Sequence, residues 1–164
     1  MSSSELPSCL KRITIWLLIG AAVFVAIQWQ QRRAQATQFE VSGETLVIRR
    51  SDDGHYHWPG RINGRRVDFL IDTGATGTAI PASLARELRL ETIGSVRSNT
   101  AGGVVDGQLV RADLELQGGV RVQRLAIVAL PQLNDSPLLG MDVLGKLRWQ
   151  QSDAVLRIEL GDTR

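Results

Sequence analysis

Val67-Asp68-Phe69-Leu70-Ile71-Asp72-Thr73-Gly74-Ala75-Thr76 places an acid, a hydroxyl and a glycine directly after an apolar run. A carboxylate in that position arrives at the edge of a core, where burial acts on its charged form. Just upstream, Asn63-Gly64 separates two β-rich runs, 56–62 and 65–71. This dipeptide predicts a tight hairpin, because both central positions of a type I′ turn need positive φ. Further strands are predicted at 44–50, 104–116, 120–129 and 154–160, several with apolar alternation. Gly102-Gly103, Gly118-Gly119 and Ser152-Asp153 read as the turns around them. Only two short helices are expected, ASLAREL after Pro81 and MDVLGKL after Gly140. Residues 39–162 therefore read as an all-β domain with one or two short accessory helices.

A second apolar pair followed by glycine, Leu138-Leu139-Gly140, lies about 65 residues after the first motif and leads into the second helix. Asp72-Thr73-Gly74 after hydrophobic residues, with Leu138-Leu139-Gly140 downstream, resembles the retropepsins, aspartic proteases of the retroviral type. The whole layout is similar to bacterial membrane-anchored members of that clan: an apolar N-terminal run, the Asn63-Gly64 hairpin, IDTGAT, a Gly-rich hairpin and LLGMD. The resemblance implies a single-lobe acid-protease barrel with Asp72, Thr73 and Gly74 as the catalytic triplet. It implies that Thr73 bonds across a two-fold axis, and that Ala75 and Thr76 line the substrate site. Ala101, Gly102, Gly103 and Val104 would belong to a flap that closes over an extended peptide, and a second bend is expected at Asp106-Gly107.

Hydrolysis by two aspartates needs one ionised carboxylate to accept a proton from water and one protonated carboxyl to polarise the carbonyl. The chain has one D-[ST]-G. Asp162-Thr163-Arg164 lacks the glycine, and Asp53-Gly54 and Asp106-Gly107 lack the hydroxyl. The second Asp72 must then come from a second copy, which predicts a homodimer acting on a polypeptide with no metal or cofactor. Viral retropepsins usually carry an acidic residue after DTGA and an arginine after the second glycine; here those positions hold Thr76 and Met141. Asp142 is expected only as an acid at a helix start, where the macrodipole favours it.

Ahead of the domain, Ile13 to Ile27 carries no charge, and Gln28 and Trp29 extend the run to about 17 residues, the lower edge of what spans a bilayer. Lys11 and Arg12 precede it, Arg32 and Arg33 follow it, and Trp16 and Trp29 lie near its ends. The reading is a tail over 1–12, a transmembrane anchor over 13–29 and a linker over 30–38. Ala34-Gln35-Ala36 has the form of a signal-peptide cleavage site, but two arginines in front of it favour an uncleaved anchor. Charge counting leaves the orientation near a tie; the resemblance implies the bacterial inner membrane with the domain in the periplasm.

The chain has 164 residues, 43% of them hydrophobic, 16 Gly, 5 Pro and one Cys, which excludes disordered, collagen-like and disulfide-scaffold classes. Setting aside the four basic residues flanking the apolar run and Glu5 leaves 15 basic against 16 acidic residues. The body is near neutral, so nucleic acid is not an expected partner. Two other classes fit parts of the sequence. One is a retropepsin-shaped module that grips an extended peptide without cutting it. The other is a metal hydrolase built on His55 and His57, which are expected to alternate along a strand just after Asp52 and Asp53.

Overall fold

The structure is a computed structural model that describes residues 8–34, 38–40, 45–100, 103–133 and 136–160. The chain divides into two compact units, Met1–Ala36 and Thr37–Arg164.

The first unit is helix α1, Ser8–Ala34. It outruns the predicted 13–29 segment at both ends, and on its C-terminal side it takes in residues assigned to a linker. Gln, Arg and Ala at 30–34 are good helix formers, so nothing local stops the helix at Trp29. Every side chain from 14 to 28 is exposed, including Trp16 at 72% and Phe24 at 62%. That stretch is about 22 Å long at 1.5 Å per residue. Among the described residues, no helix is long and apolar enough to cross a membrane.

The second unit is almost entirely β. Its strands are β1 Gln38–Glu40, β2 Thr45–Arg49, β3 His57–Ile62, β4 Arg65–Ile71, β5 Ala79–Pro81, β6 Glu91–Thr100, β7 Gly103–Leu116, β8 Val120–Leu130, β9 Leu138–Leu139, β10 Arg148–Ser152 and β11 Val155–Glu159. Two short helices, α2 Ala82–Glu87 and α3 Met141–Leu144, follow Pro81 and Gly140 as predicted. Strands β8, β5, β9, β4, β3 and β7 pair in that order, and β7 pairs back with β8, closing a six-stranded barrel. The long β7 makes this closure possible. Its first half pairs with β6 on one side, its last three residues pair with β3 on that same side, and β8 runs along the other.

The alternation in β7 and β8 fills the barrel with Val110, Leu114, Val120, Val122 and Ile127. Trp58 and Phe69, cross-strand partners on β3 and β4, are fully buried, and the indole N–H of Trp58 donates to the Gln117 carbonyl at 2.8 Å. A second sheet, ordered β10-β11-β2, adds Ile48, Leu156 and Ile158 to the same core.

Asn63 (φ 46°) and Gly64 (φ 84°) form the predicted hairpin turn. Asn63 also docks on β7: its Oδ1 accepts the Asp113 N–H at 2.8 Å, and its own N–H donates to the Asp113 carbonyl at 2.9 Å. Two turn expectations are corrected. Asp106-Gly107 makes no bend, because it pairs with Arg97 and Val96 inside the β6–β7 ladder. The last hairpin turns at Asp153 and Ala154, both with positive φ, one residue later than Ser152-Asp153, because Ser152 and Val155 already form the closing pair.

Candidate active site

Asp72 is the first residue after β4, and two segments far apart in sequence fix its position. The Asp72 N–H donates to the Leu139 carbonyl at 3.0 Å, so β9 continues the register of β4 one residue beyond the strand. β9 lies between β4, to which it runs parallel, and β5, to which it runs antiparallel. The loop 72–78 therefore leaves one barrel strand and enters another with the Leu138-Leu139-Gly140 segment threaded between them. This brings the two motifs of the sequence into contact.

Within the loop, the Gly74 N–H donates to Asp72 Oδ1 at 2.9 Å, and the Ala75 N–H donates to the Asp72 carbonyl at 3.2 Å. The Asp72 side chain is half-buried, while Thr73, Gly74 and Thr76 are exposed. The start of α3 then grips the far side of the loop. The Met141 N–H donates to the Ala75 carbonyl at 2.9 Å, and the Asp142 N–H donates to the Thr76 carbonyl at 3.1 Å. Gly140 faces the Gly77 backbone so closely that a Cβ there would fall 2.5 Å from the Gly77 carbonyl oxygen.

Asp142 is the residue that sequence reasoning undervalued. Its Oδ2 accepts the Thr78 N–H at 2.9 Å and its Oδ1 accepts the Thr78 hydroxyl at 2.8 Å. Thr78 is the one fully buried polar residue among those described. The available signal was the spacing: a hydroxyl six residues after Asp72 and an acid two after Gly140 are brought together once β9 threads the loop.

The segment expected to act as a flap lies in a β6–β7 hairpin, with Thr100 opposite Gly103 in its last described pair. Ala101 and Gly102 lie outside the described residues. Gly103 has φ 111°, and Val104 is 62% exposed. Next to it, Val105 turns inward and packs with Ala79 and Leu130, joined by Leu138. Val105 thus joins the hairpin to β5, the strand that the Asp72 loop enters.

The histidine cluster is arranged differently from the expectation. β3 begins at His57, so His55 lies in the preceding turn, where its N–H donates to Asp53 Oδ1 at 2.9 Å. The His57 ring is held between two carboxylates, Nε2 at 2.7 Å from Asp53 Oδ2 and Nδ1 at 3.2 Å from Asp68 Oδ2. The two acids lie on different nitrogens of one ring and do not converge on a common point. Among the described residues, no group of three or more His, Cys, Asp or Glu side chains is placed to hold a metal. The His55 N–H first, and the His57 ring second, hold the Asp53 carboxyl below the ordinary carboxylate value.

Strands threaded in this way, with an acid on the loop between them, define the retropepsin-like aspartic protease fold. Residues 58–146 match the family model described as "gag-polyprotein putative aspartyl protease", and the chain belongs to that family. Among solved structures, the chain is similar to a retropepsin-like aspartic protease from Rickettsia conorii (TM-score 0.55, 19% identity, covering 75% of this chain and 93% of that one). The Simian Foamy Virus (mac) protease also matches, at a TM-score of 0.42 and 20% identity over 54% of this chain and 91% of that one. No curated protein matches the sequence significantly.

Proposed function

We propose that the protein is an aspartic endopeptidase whose water is activated by two Asp72 carboxylates, one from each subunit of a homodimer. The observation that carries this reading is the seating of Asp72. Its backbone is tied to Leu139 and its Oδ1 accepts the Gly74 N–H, leaving a half-buried carboxyl at the rim of the barrel. The sequence supplies one Asp-Thr-Gly per chain, and the chemistry needs two acids in opposite protonation states. Exposed Thr73 and Gly74 beside Asp72 leave room for a symmetric copy to approach. Two carboxyls a few ångströms apart share one proton and titrate as a unit.

Ala75 and Thr76 form the floor of the substrate site, and the β6–β7 hairpin around Gly103 and Val104 covers it. An extended peptide between them meets backbone groups on both sides, which suits recognition by strand pairing. The apolar helix α1 tethers the enzyme to the bacterial inner membrane, with the domain on the periplasmic side. Support comes from the uncharged run from Ile13 to Ile27, flanked by Lys11 and Arg12 on one side and Arg32 and Arg33 on the other.

Peptide-library cleavage by the full-length chain and by Asp72→Asn tests the reading. The variant keeps the Oδ1 that accepts the Gly74 N–H, so it should fold, but it cannot accept a proton from water. Cleavage is expected in wild type and lost in the variant, with no effect of a chelator in either. Equal turnover by both would refute the role of Asp72. Chelator-sensitive turnover restored by zinc would move the chemistry to the histidine region.

A further inference from the structure

We infer that Asp142 is a positioning residue for Asp72, acting through Thr78; the inference rests on the catalytic reading of Asp72 given above. Three donors converge on this carboxylate: the Thr78 N–H on Oδ2 at 2.9 Å, and the Thr78 hydroxyl at 2.8 Å and the Val143 N–H at 3.0 Å on Oδ1. The direction of the Thr78 hydroxyl is fixed as well. Its oxygen accepts the Gly140 N–H at 3.3 Å, so its own proton points to Asp142. Both oxygens of residue 142 must therefore accept, as a carboxylate does at every contact.

An asparagine of the same shape fails in either orientation. With its oxygen toward the hydroxyl and Val143, its NH₂ faces the Thr78 N–H. With its oxygen toward the Thr78 N–H, its NH₂ faces the Val143 N–H. Each arrangement sets donor against donor inside a site where Thr78 has no exposure to water.

The link to Asp72 runs through the loop. Apart from the Gly140 N–H on the Thr78 hydroxyl, the remaining ties between 72–78 and 139–142 are backbone to backbone, at Asp72, Ala75 and Thr76, and do not depend on side-chain identity. The Asp142–Thr78 pair is the side-chain tie that closes this set at the β5 end of the loop. Releasing it lets the loop shift against β9, and Asp72 moves with it. Displacements near 1 Å at a reacting group cost on the order of a hundredfold in rate.

The test uses the full-length enzyme, with Asp72-dependent cleavage of a peptide established first. Asp142→Asn, Thr78→Val and Thr78→Ser are then compared with wild type by kcat and KM per folded molecule, by melting temperature, and by affinity for a peptide isostere carrying a hydroxyl in place of the scissile carbonyl. Asp142→Asn and Thr78→Val should lose about tenfold or more in kcat and weaken isostere binding by a similar factor, with KM changed by less than about threefold. Thr78→Ser, which keeps the hydroxyl, should stay within about threefold of wild type in kcat. A variant that melts earlier but retains full kcat in its folded fraction overturns the positioning role. So does Thr78→Ser falling together with Thr78→Val, or both Asp142→Asn and Thr78→Val failing to fold. Absence of Asp72-dependent cleavage in wild type would instead overturn the catalytic reading itself.

Discussion

The Asp72 loop and the β6–β7 hairpin are held to the same barrel by opposite means. The loop 72–78 is tied to residues 139–142 by three backbone hydrogen bonds and the Asp142–Thr78 pair, and the Gly140–Gly77 contact leaves no room for a side chain. The outer half of the hairpin buries little: Val105 faces the barrel, Val104 is open, and the Arg97–Asp106 pair at 3.2 Å lies on an exposed face. A segment with many buried hydrogen bonds opens rarely, and one with few buried contacts opens often. The contrast suits a site in which the acid must stay fixed while a peptide passes under a cover.

Breaking the fixed side should have the largest effect. Gly140→Ala drives a Cβ into the Gly77 backbone, which cannot give way as a side-chain end can. A loss of about 3 kcal/mol or more in urea denaturation is expected, with activity lost at temperatures where wild type is folded. A fully stable Gly140→Ala would mean that the loop is looser than its contacts imply.

Loosening the movable side should do less to stability and more to binding. Val105→Ala removes the hairpin's inward contact and should cost about 1–2 kcal/mol. Amide exchange is expected to accelerate across 96–106 while 72–78 keeps its protection, and KM should rise more than kcat falls. Equal acceleration in both regions would remove the distinction between them.

The smallest effect belongs to the turn before β3, which shares neither role. Asp53 lies on the surface, and its carboxyl is held below the ordinary value by the His55 N–H and then by the His57 ring. A lowered carboxyl stabilises above the ordinary carboxylate range and loses that contribution as pH falls through the lowered value. Melting temperatures of wild type and Asp53→Asn should therefore differ slightly at neutral pH and converge in strong acid. A gap that widens on acidification would reverse the sign.

How far the sequence could be read depended on where each element sits. Strands with one face in the core, such as Arg65–Ile71 and Gly103–Leu116, announced themselves by apolar alternation. β10 did not, because all five of its residues are exposed. β6 was legible only near its tip, since Glu91, Thr92, Gly94, Ser95 and Arg97 are solvated and follow no strand pattern. β5 and β9 are two or three residues long, and only their pairing with distant strands defines them. At the site, Asp72-Thr73-Gly74 stood out because it follows an apolar run and is matched by Leu138-Leu139-Gly140 downstream. Asp142 was not, since an acid at a helix start has an ordinary local explanation; its bonds to Thr78 cross 64 residues.

The central claim is that one active site uses Asp72 from two copies. Wild-type chain is mixed with Asp72→Asn at fixed total concentration, allowed to exchange, and assayed for specific activity against the mutant fraction. If each site needs both carboxyls, activity falls as the square of the wild-type fraction, so an equal mixture retains about a quarter of it. A linear fall, with about half remaining, would show that one Asp72 suffices and contradict the shared site.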